Sequence, residues 1–267
     1  MMSEPIYSII LYFFTTLLAL AVGSFLNVVI YRAPRGESLS FPPSHCTSCG
    51  KPIKWYDNIP LISFLMLRGK CRFCGEKISL KYPLVELMNA IAWVISVMMF
   101  WKSSPMFAVV AATASSVLIL VAIVDLEHMI ILDRFTLTLA ALAVFSVHFD
   151  AEFTPLDKLI GLCASAIVFF GVYYGFRALT GREGMGFGDV KLALAAGLLL
   201  GWQRFLLALL ISSIGASIIL LLLRKIRGNA PDTEYPFGPF LSFGIWAALI
   251  FGGKIIEIYE NALFFIK

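Results

Sequence analysis

Charge is scarce in this sequence. Only 14% of its 267 residues are Asp, Glu, Lys or Arg, against about 25% in soluble domains, and 60% are apolar. A soluble chain of this length cannot hide that much apolar side chain from water, which excludes a cytosolic enzyme and a disordered protein. Cysteine is also rare: five residues, four of them in two tight pairs, exclude a secreted disulfide scaffold. There is no short internal repeat, no low-complexity tract and no Gly-rich dinucleotide fingerprint. No serine or cysteine is accompanied by a convincing base, so a nucleophilic triad is not expected. What is present is long apolar runs, and they describe an all-α polytopic membrane protein.

A hydrocarbon core of about 30 Å takes roughly 20 apolar residues per helix. Such runs fall at 6–31, 83–101, 106–124, 133–149, 158–178, 189–203, 205–223 and 238–261, which predicts about eight transmembrane helices. The first run has neither a basic start nor a small-residue cleavage site, so it is expected to be a span and not a cleaved signal. Sixteen of the 21 basic residues fall in alternate connecting stretches, nine of them within 32–82, and five on the opposite side. Lys and Arg accumulate on the cytoplasmic side. The stretches around 32–82, 125–132, 179–188 and 224–237 are therefore expected to face the cytoplasm, with both termini outside.

The segment 32–82 is polar, basic and rich in proline, and reads as a small cytoplasmic domain inserted after the first span. The expected organisation is 1–31 as the first helix, 32–82 as the inserted domain and 83–267 as the membrane core. The insert carries Cys46-Thr-Ser-Cys49-Gly50 and Cys71-Arg-Phe-Cys74-Gly75, with 21 residues between the pairs. Two CxxC turns, each followed by Gly, suit a tetrahedral zinc site made of four cysteines. Disulfides are the competing reading, and a reducing cytoplasm opposes them. Four thiolates leave no open coordination position, so the zinc would be structural. His45, beside Cys46, is taken as a surface residue. The basic surface of the insert suits anionic lipid headgroups, and no nucleic-acid partner is expected.

Ionisable groups at hydrocarbon depth are rare unless they serve function. Asp125 closes the run Val117–Val124, and Asp189 follows Gly184-Met185-Gly186-Phe187-Gly188. Both are expected at the cytoplasmic boundary, hence at one depth. The glycines would allow another segment to approach the backbone and the loop to bend sharply. Two neighbouring carboxyl groups in a partly dry site share a proton, so that one can activate water while the other polarises a carbonyl. Asp133 reads as an N-cap opening the fourth run.

The chain resembles the bacterial type IV prepilin peptidases, membrane aspartic proteases of the GxGD type. The likeness lies in Gly23–Arg32, in Pro43 through both cysteine pairs to Tyr82-Pro83-Leu84-Val85-Glu86, in Gly184–Leu192 and in Pro236–Phe240. The resemblance implies that Asp125 and Asp189 are the catalytic pair. The family has Ile-Pro-Asp shortly after its first aspartate; here Ile131-Leu132-Asp133 lacks the proline, which leaves Asp133 as a competitor. It also implies N-methylation of the trimmed product with S-adenosylmethionine as methyl donor, with Gly69 and Lys70 matching positions tied to methyl transfer. Substrates would be prepilins and prepilin-like pseudopilins, cut at the cytoplasmic face of the inner membrane. Glu86 is either a functional acid or a span-end charge, the latter being favoured. The alternatives are an ion- or proton-coupled transporter using paired carboxylates, a peptidase without methyltransferase activity, or a membrane scaffold with a zinc ribbon.

Overall fold

A computed structural model describes residues 4–150, 153–182, 184–227 and 235–264, and all of its regular elements are helical. The helices are α1 (Glu4–Arg32), the short α2 (Ile62–Met66), α3 (Lys81–Phe100), α4 (Pro105–His128), α5 (Asp133–Ser146), α6 (Pro155–Thr180), α7 (Phe187–Arg227) and α8 (Gly238–Phe264). The chain divides into two compact units, residues 1–99 and 100–267.

In the first unit α1 and α3 pack closely. A Cβ on Gly23 would lie 2.8 Å from the Glu86 Cα, so only glycine permits the contact. Asn89, fully buried, donates Nδ2 to the Ala19 carbonyl at 2.7 Å. Between these helices run the two cysteine turns and α2. In the second unit α4 is the most enclosed helix, buried along most of its length and packed on α5 and α8. Its start is fixed by Ser104, whose hydroxyl accepts the Phe107 N–H, with Pro105 in the first turn. α6 begins with a capping box between Thr154 and Asp157 and ends at left-handed Gly181.

Six helices among the described residues are long and apolar enough to cross a membrane: α1, α3, α4, α6, α7 and α8. The expected count of eight differs for two physical reasons. α5 has only 14 residues, about 21 Å of helix, less than the hydrocarbon thickness. The runs 189–203 and 205–223 are joined in α7, 41 residues interrupted at Gly201, where φ is 73° and ψ 170°. The chain reverses at this break. Before it, Phe187 meets Tyr173, Gly197 meets Gly161 and Gly201 meets Asp157, so this segment runs antiparallel to α6. After it, Arg204 meets Gly252 while Ala208 and Ser212 meet Gly244, antiparallel to α8.

The α6–α7 crossing depends on missing side chains. A Cβ on Gly161 would sit 2.3 Å from the Gly197 carbonyl oxygen and 2.7 Å from the Gly201 carbonyl carbon. Gly161→Ala must therefore push backbone apart, at a cost of about 1–3 kcal/mol. The check is the thermal midpoint in detergent, expected to fall; an unchanged midpoint would contradict the packing.

Near the reversal lies a buried ionic cluster. Lys158 is wholly buried, with Nζ 2.9 Å from Asp150 Oδ2 and donating to Ser146 Oγ at 2.7 Å. The Arg204 guanidinium lies over the Phe153 ring at 4.7 Å. Two of the five basic residues counted opposite the cytoplasmic set are thus buried inside protein. Residues 228–234, within the expected loop 224–237, and Lys267 lie outside the described residues.

Candidate functional site

In the second unit, Asp125 occupies the last turn of α4, which ends at left-handed Met129 with its N–H bonded to the Asp125 carbonyl at 2.8 Å. Asp189 lies in the first turn of α7, its N–H bonded to the Gly186 carbonyl at 3.1 Å. These two residues, 64 positions apart, are brought near enough for their charges to interact. Both are buried, at 6% and 9% exposure.

A third element completes the arrangement. The Gly238 N–H, at the start of α8, donates to Asp125 Oδ2 at 2.9 Å, and a Cβ on Gly238 would lie 2.5 Å from that oxygen. Glycine is required there because the backbone itself contacts the carboxyl group. Asp189 Oδ1 is buried with no hydrogen-bond partner among the described residues. An orphaned acceptor of this kind costs free energy unless water or a ligand donates to it.

Asp133 is placed differently. Leu132 holds the N-cap position of α5, and no side-chain cap is made. Asp133 is the first helical residue, exposed, and paired with Lys191 at 2.6 Å. That pair ties the start of α5 to the first turn of α7. The glycines before Asp189 also serve otherwise than as a bend: neither Gly186 nor Gly188 adopts positive φ. Gly188 makes room for Ile131, whose Cβ would be 2.8 Å from an added Cβ. His128, one turn after Asp125, has a buried Nε2 without a partner among the described residues.

In the first unit the two cysteine turns are copies of one another. Gly50 and Gly75, both at positive φ, return their N–H to the Cys46 and Cys71 carbonyls at 2.9 Å. Cys46 N–H bonds the Lys51 carbonyl at 3.0 Å and Cys71 N–H the Glu76 carbonyl at 2.8 Å. Cys46, Cys49, Cys71 and Cys74 converge, with all four sulfurs within 4.8 Å of one another. The Cys46 and Cys74 sulfurs are 3.9 Å apart, close to the edge of about 3.8 Å that a tetrahedron with 2.3 Å metal–sulfur bonds demands.

The electrostatics of the cluster suit a cation. Backbone N–H groups of Cys49 and Ser48 hold the Cys46 thiol down to about 6. Cys74 has the Glu76 amide favouring its thiolate, yet lost hydration and the neighbouring Cys71, Cys49 and Cys46 sulfurs push it up to about 11. Four crowded sulfurs divide in this way because they hydrogen-bond to one another, one accepting as a thiolate while its neighbours keep the protons they donate, and a bound dication takes the place of those protons. These cysteines can hold a metal ion. His45 is exposed, its Nδ1 facing the Pro43 carbonyl at 3.1 Å.

Gly69 is at φ 66° and an added Cβ would press on the Phe64 ring at 3.1 Å. Lys70 is exposed and pairs by backbone with Lys77. Arg72 grips Asp57 through two bonds of 2.6 and 2.7 Å, and this guanidinium holds the Asp57 carboxyl below the usual carboxylate range. Glu86, read as either a functional acid or, by preference, a span-end charge, is buried and accepts the Leu61 N–H at 2.9 Å. The available signal was a carboxylate three residues inside an apolar run.

Comparison with known proteins is consistent over most of the chain. Residues 17–100 match the profile of the Bacterial Peptidase A24 N-terminal domain, and residues 112–221 that of the Type IV leader peptidase family. A prepilin leader peptidase/N-methyltransferase of Aeromonas salmonicida is 36% identical over 274 residues, covering 92% of this chain and 93% of that protein. Proteins of the same name from Pseudomonas putida and Pseudomonas aeruginosa are each 33% identical, covering 94% and 92% of this chain and 93% and 92% of their own lengths. No solved structure gives a significant match. With both family regions in order and a third of all residues shared over nine-tenths of each chain, this multi-pass helical membrane protein belongs to the type IV leader peptidase family.

Proposed function

We propose that the chain is a membrane aspartic endopeptidase that removes the leader from type IV prepilins and pseudopilins, with Asp125 and Asp189 as its catalytic pair. The observation that carries this reading is their convergence, buried, at the ends of two different helices. Two carboxyl groups so placed hold one proton between them. One takes a proton from water as it attacks the scissile carbonyl carbon, and the other gives a proton to that carbonyl oxygen. The tetrahedral adduct then collapses, the C–N bond breaks, and the leaving nitrogen takes up a proton. No covalent enzyme intermediate is needed. The Gly238 amide orients Asp125, and the Asp189 oxygen without a protein partner is left for substrate or water.

Asp125 is preferred to Asp133 because Asp133 is exposed and committed to Lys191. The excess of basic residues around 32–82 favours a cytoplasmic active-site face of the bacterial inner membrane. On this reading both segments of α7 cross the bilayer, and α5, extended by the turn at 147–149, crosses where the bilayer thins to match it, giving eight crossings. Residues 32–82 act as a zinc-stabilised insert between the first helix and the peptidase core. The transporter alternative expects its carboxylates at the midplane on broken helices, whereas these stand in a last and a first helical turn.

The relatives' names support a second activity, N-methylation of the trimmed product. S-adenosylmethionine would supply a methyl group on a cationic sulfur. Incubating the purified protein with a prepilin and reading the new N-terminus by mass spectrometry tests both halves: cleavage after the leader, and a mass increment of one methyl group when the donor is added. An uncut prepilin would sink the reading. A further expectation concerns Gly238→Ala. The added Cβ would displace the Asp125 carboxyl, and a misplacement near 1 Å costs about 100-fold in rate. Unchanged cleavage kinetics would contradict the role given to this contact.

A further inference from the structure

Within residues 1–99 a cavity of about 350 Å³ opens between the adjoining ends of α1 and α3 and the two cysteine turns. Its volume lies in the range of small-molecule pockets, roughly 300–1,000 Å³. Two buried acceptors line it. Asn27, 5% exposed, donates Nδ2 to the Tyr82 carbonyl at 3.1 Å, while its Oδ1 is buried with no partner among the described residues. Glu86, 8% exposed, accepts the Leu61 N–H at 2.9 Å and a hydrogen bond from the Ser24 side chain, which leaves it further lone pairs for a ligand.

An orphaned amide oxygen beside a carboxyl group calls for a ligand that brings N–H or O–H donors and positive charge. A single water could satisfy the amide but would leave most of the cavity empty. Tyr31, Phe64 and Phe73 add aromatic surface, which suits a flat heterocycle or a cation. Lys51 and Lys77 also stand in the wall and would meet a carboxylate, so the ligand described is nucleoside-sized, zwitterionic and rich in donors.

We infer that this cavity is the binding site of the sulfonium methyl donor, with Glu86 and Asn27 accepting from its ammonium, ribose or adenine donors. This rests on the methyltransferase half of the proposed function. It assigns the donor to Glu86 and Asn27 and not to Gly69 and Lys70, neither of which lines the cavity.

The test uses the full-length protein in detergent with tritiated S-adenosylmethionine, cross-linked by ultraviolet light and mapped by proteolysis. Calorimetric titration of S-adenosylhomocysteine runs beside it. The label is expected within 24–86, on peptides holding Tyr31, Phe64 or Phe73, and Glu86→Gln or Asn27→Ser is expected to weaken binding at least tenfold. Metal content and thermal midpoint report whether a variant is folded; should either variant unfold, the wild-type label map decides alone. Label confined to 100–267, or folded variants binding as the wild type does, would overturn the placement. Absence of any donor binding by a wild-type preparation that still cuts prepilin would overturn the methyltransferase reading itself, and this site with it.

Discussion

Replacing either Asp125 or Asp189 with Asn is expected to lower prepilin cleavage by about a thousandfold or more, since general acid–base groups each contribute roughly 10²–10⁴. Asn keeps the size and most of the hydrogen bonding of Asp but cannot take up or release the proton. In Asp125→Asn the amide oxygen would still accept the Gly238 N–H, so the junction of α4 and α8 should survive. The expected pattern is lost turnover with unchanged insertion, thermal midpoint and substrate binding. Asp133→Asn is the control within the same region. It breaks an exposed pair with Lys191, worth about 0–1 kcal/mol, and should leave most cleavage intact. Full cleavage by either Asp125→Asn or Asp189→Asn would remove that residue from the chemistry.

The second large effect concerns the cysteine cluster. One zinc per chain is expected by elemental analysis, and replacing Cys46, Cys49, Cys71 or Cys74 with Ser should release it. Metal binding in small Cys-rich modules is worth about 10–16 kcal/mol at neutral pH and is inseparable from their folding. The segment between α1 and α3 has no strands and only the five-residue α2 as regular α-helix, so little else holds its two turns together. Chelation is therefore expected to loosen residues 41–80 and to abolish methyl transfer. Peptide-bond cleavage should fall much less, because its carboxyl groups belong to the unit 100–267. Equal loss of both activities in a still-folded cysteine variant would contradict this separation. So would a metal-free chain whose amide-exchange protection over 41–80 matches that of the loaded protein.

Much of this was legible from residue order, for reasons that differ by region. Long apolar runs mark membrane helices because the bilayer imposes a length, and the runs at 83–101, 106–124 and 238–261 lie within a few residues of α3, α4 and α8. The twin CxxCG turns were legible because metal ligation needs a fixed spacing and a positive φ at the following residue, met by Gly50 and Gly75. The run boundary at 203–205 marked the interruption at Gly201, where the chain reverses between the two segments of α7.

Inward-facing sides were not legible. A helix that is apolar all round has no polar stripe to mark its outer side, so burial at Lys158, Arg204 and Asn27 had no pattern to betray it. Lys158 and Arg204 read as loop-side charges, yet they are enclosed with Asp150 and Phe153. Gly238 sat within a recognisable motif, but its contact with Asp125 spans 113 positions, a pairing that local sequence does not encode. Of the two roles the sequence suggests for the glycines ahead of Asp189, close approach is met at Gly188, against Ile131, while the partner that crowds it is not encoded locally.

Single-turnover cleavage of a radiolabelled prepilin by the wild type, Asp125→Asn, Asp189→Asn and the double variant measures whether the two carboxyl groups form one working unit. Groups that act together lose their effect together, so the account predicts that the double variant is no slower, within a few-fold, than either single one. Losses that multiply, or a single variant that cuts at the wild-type rate, would mean the two aspartates do not share the reaction.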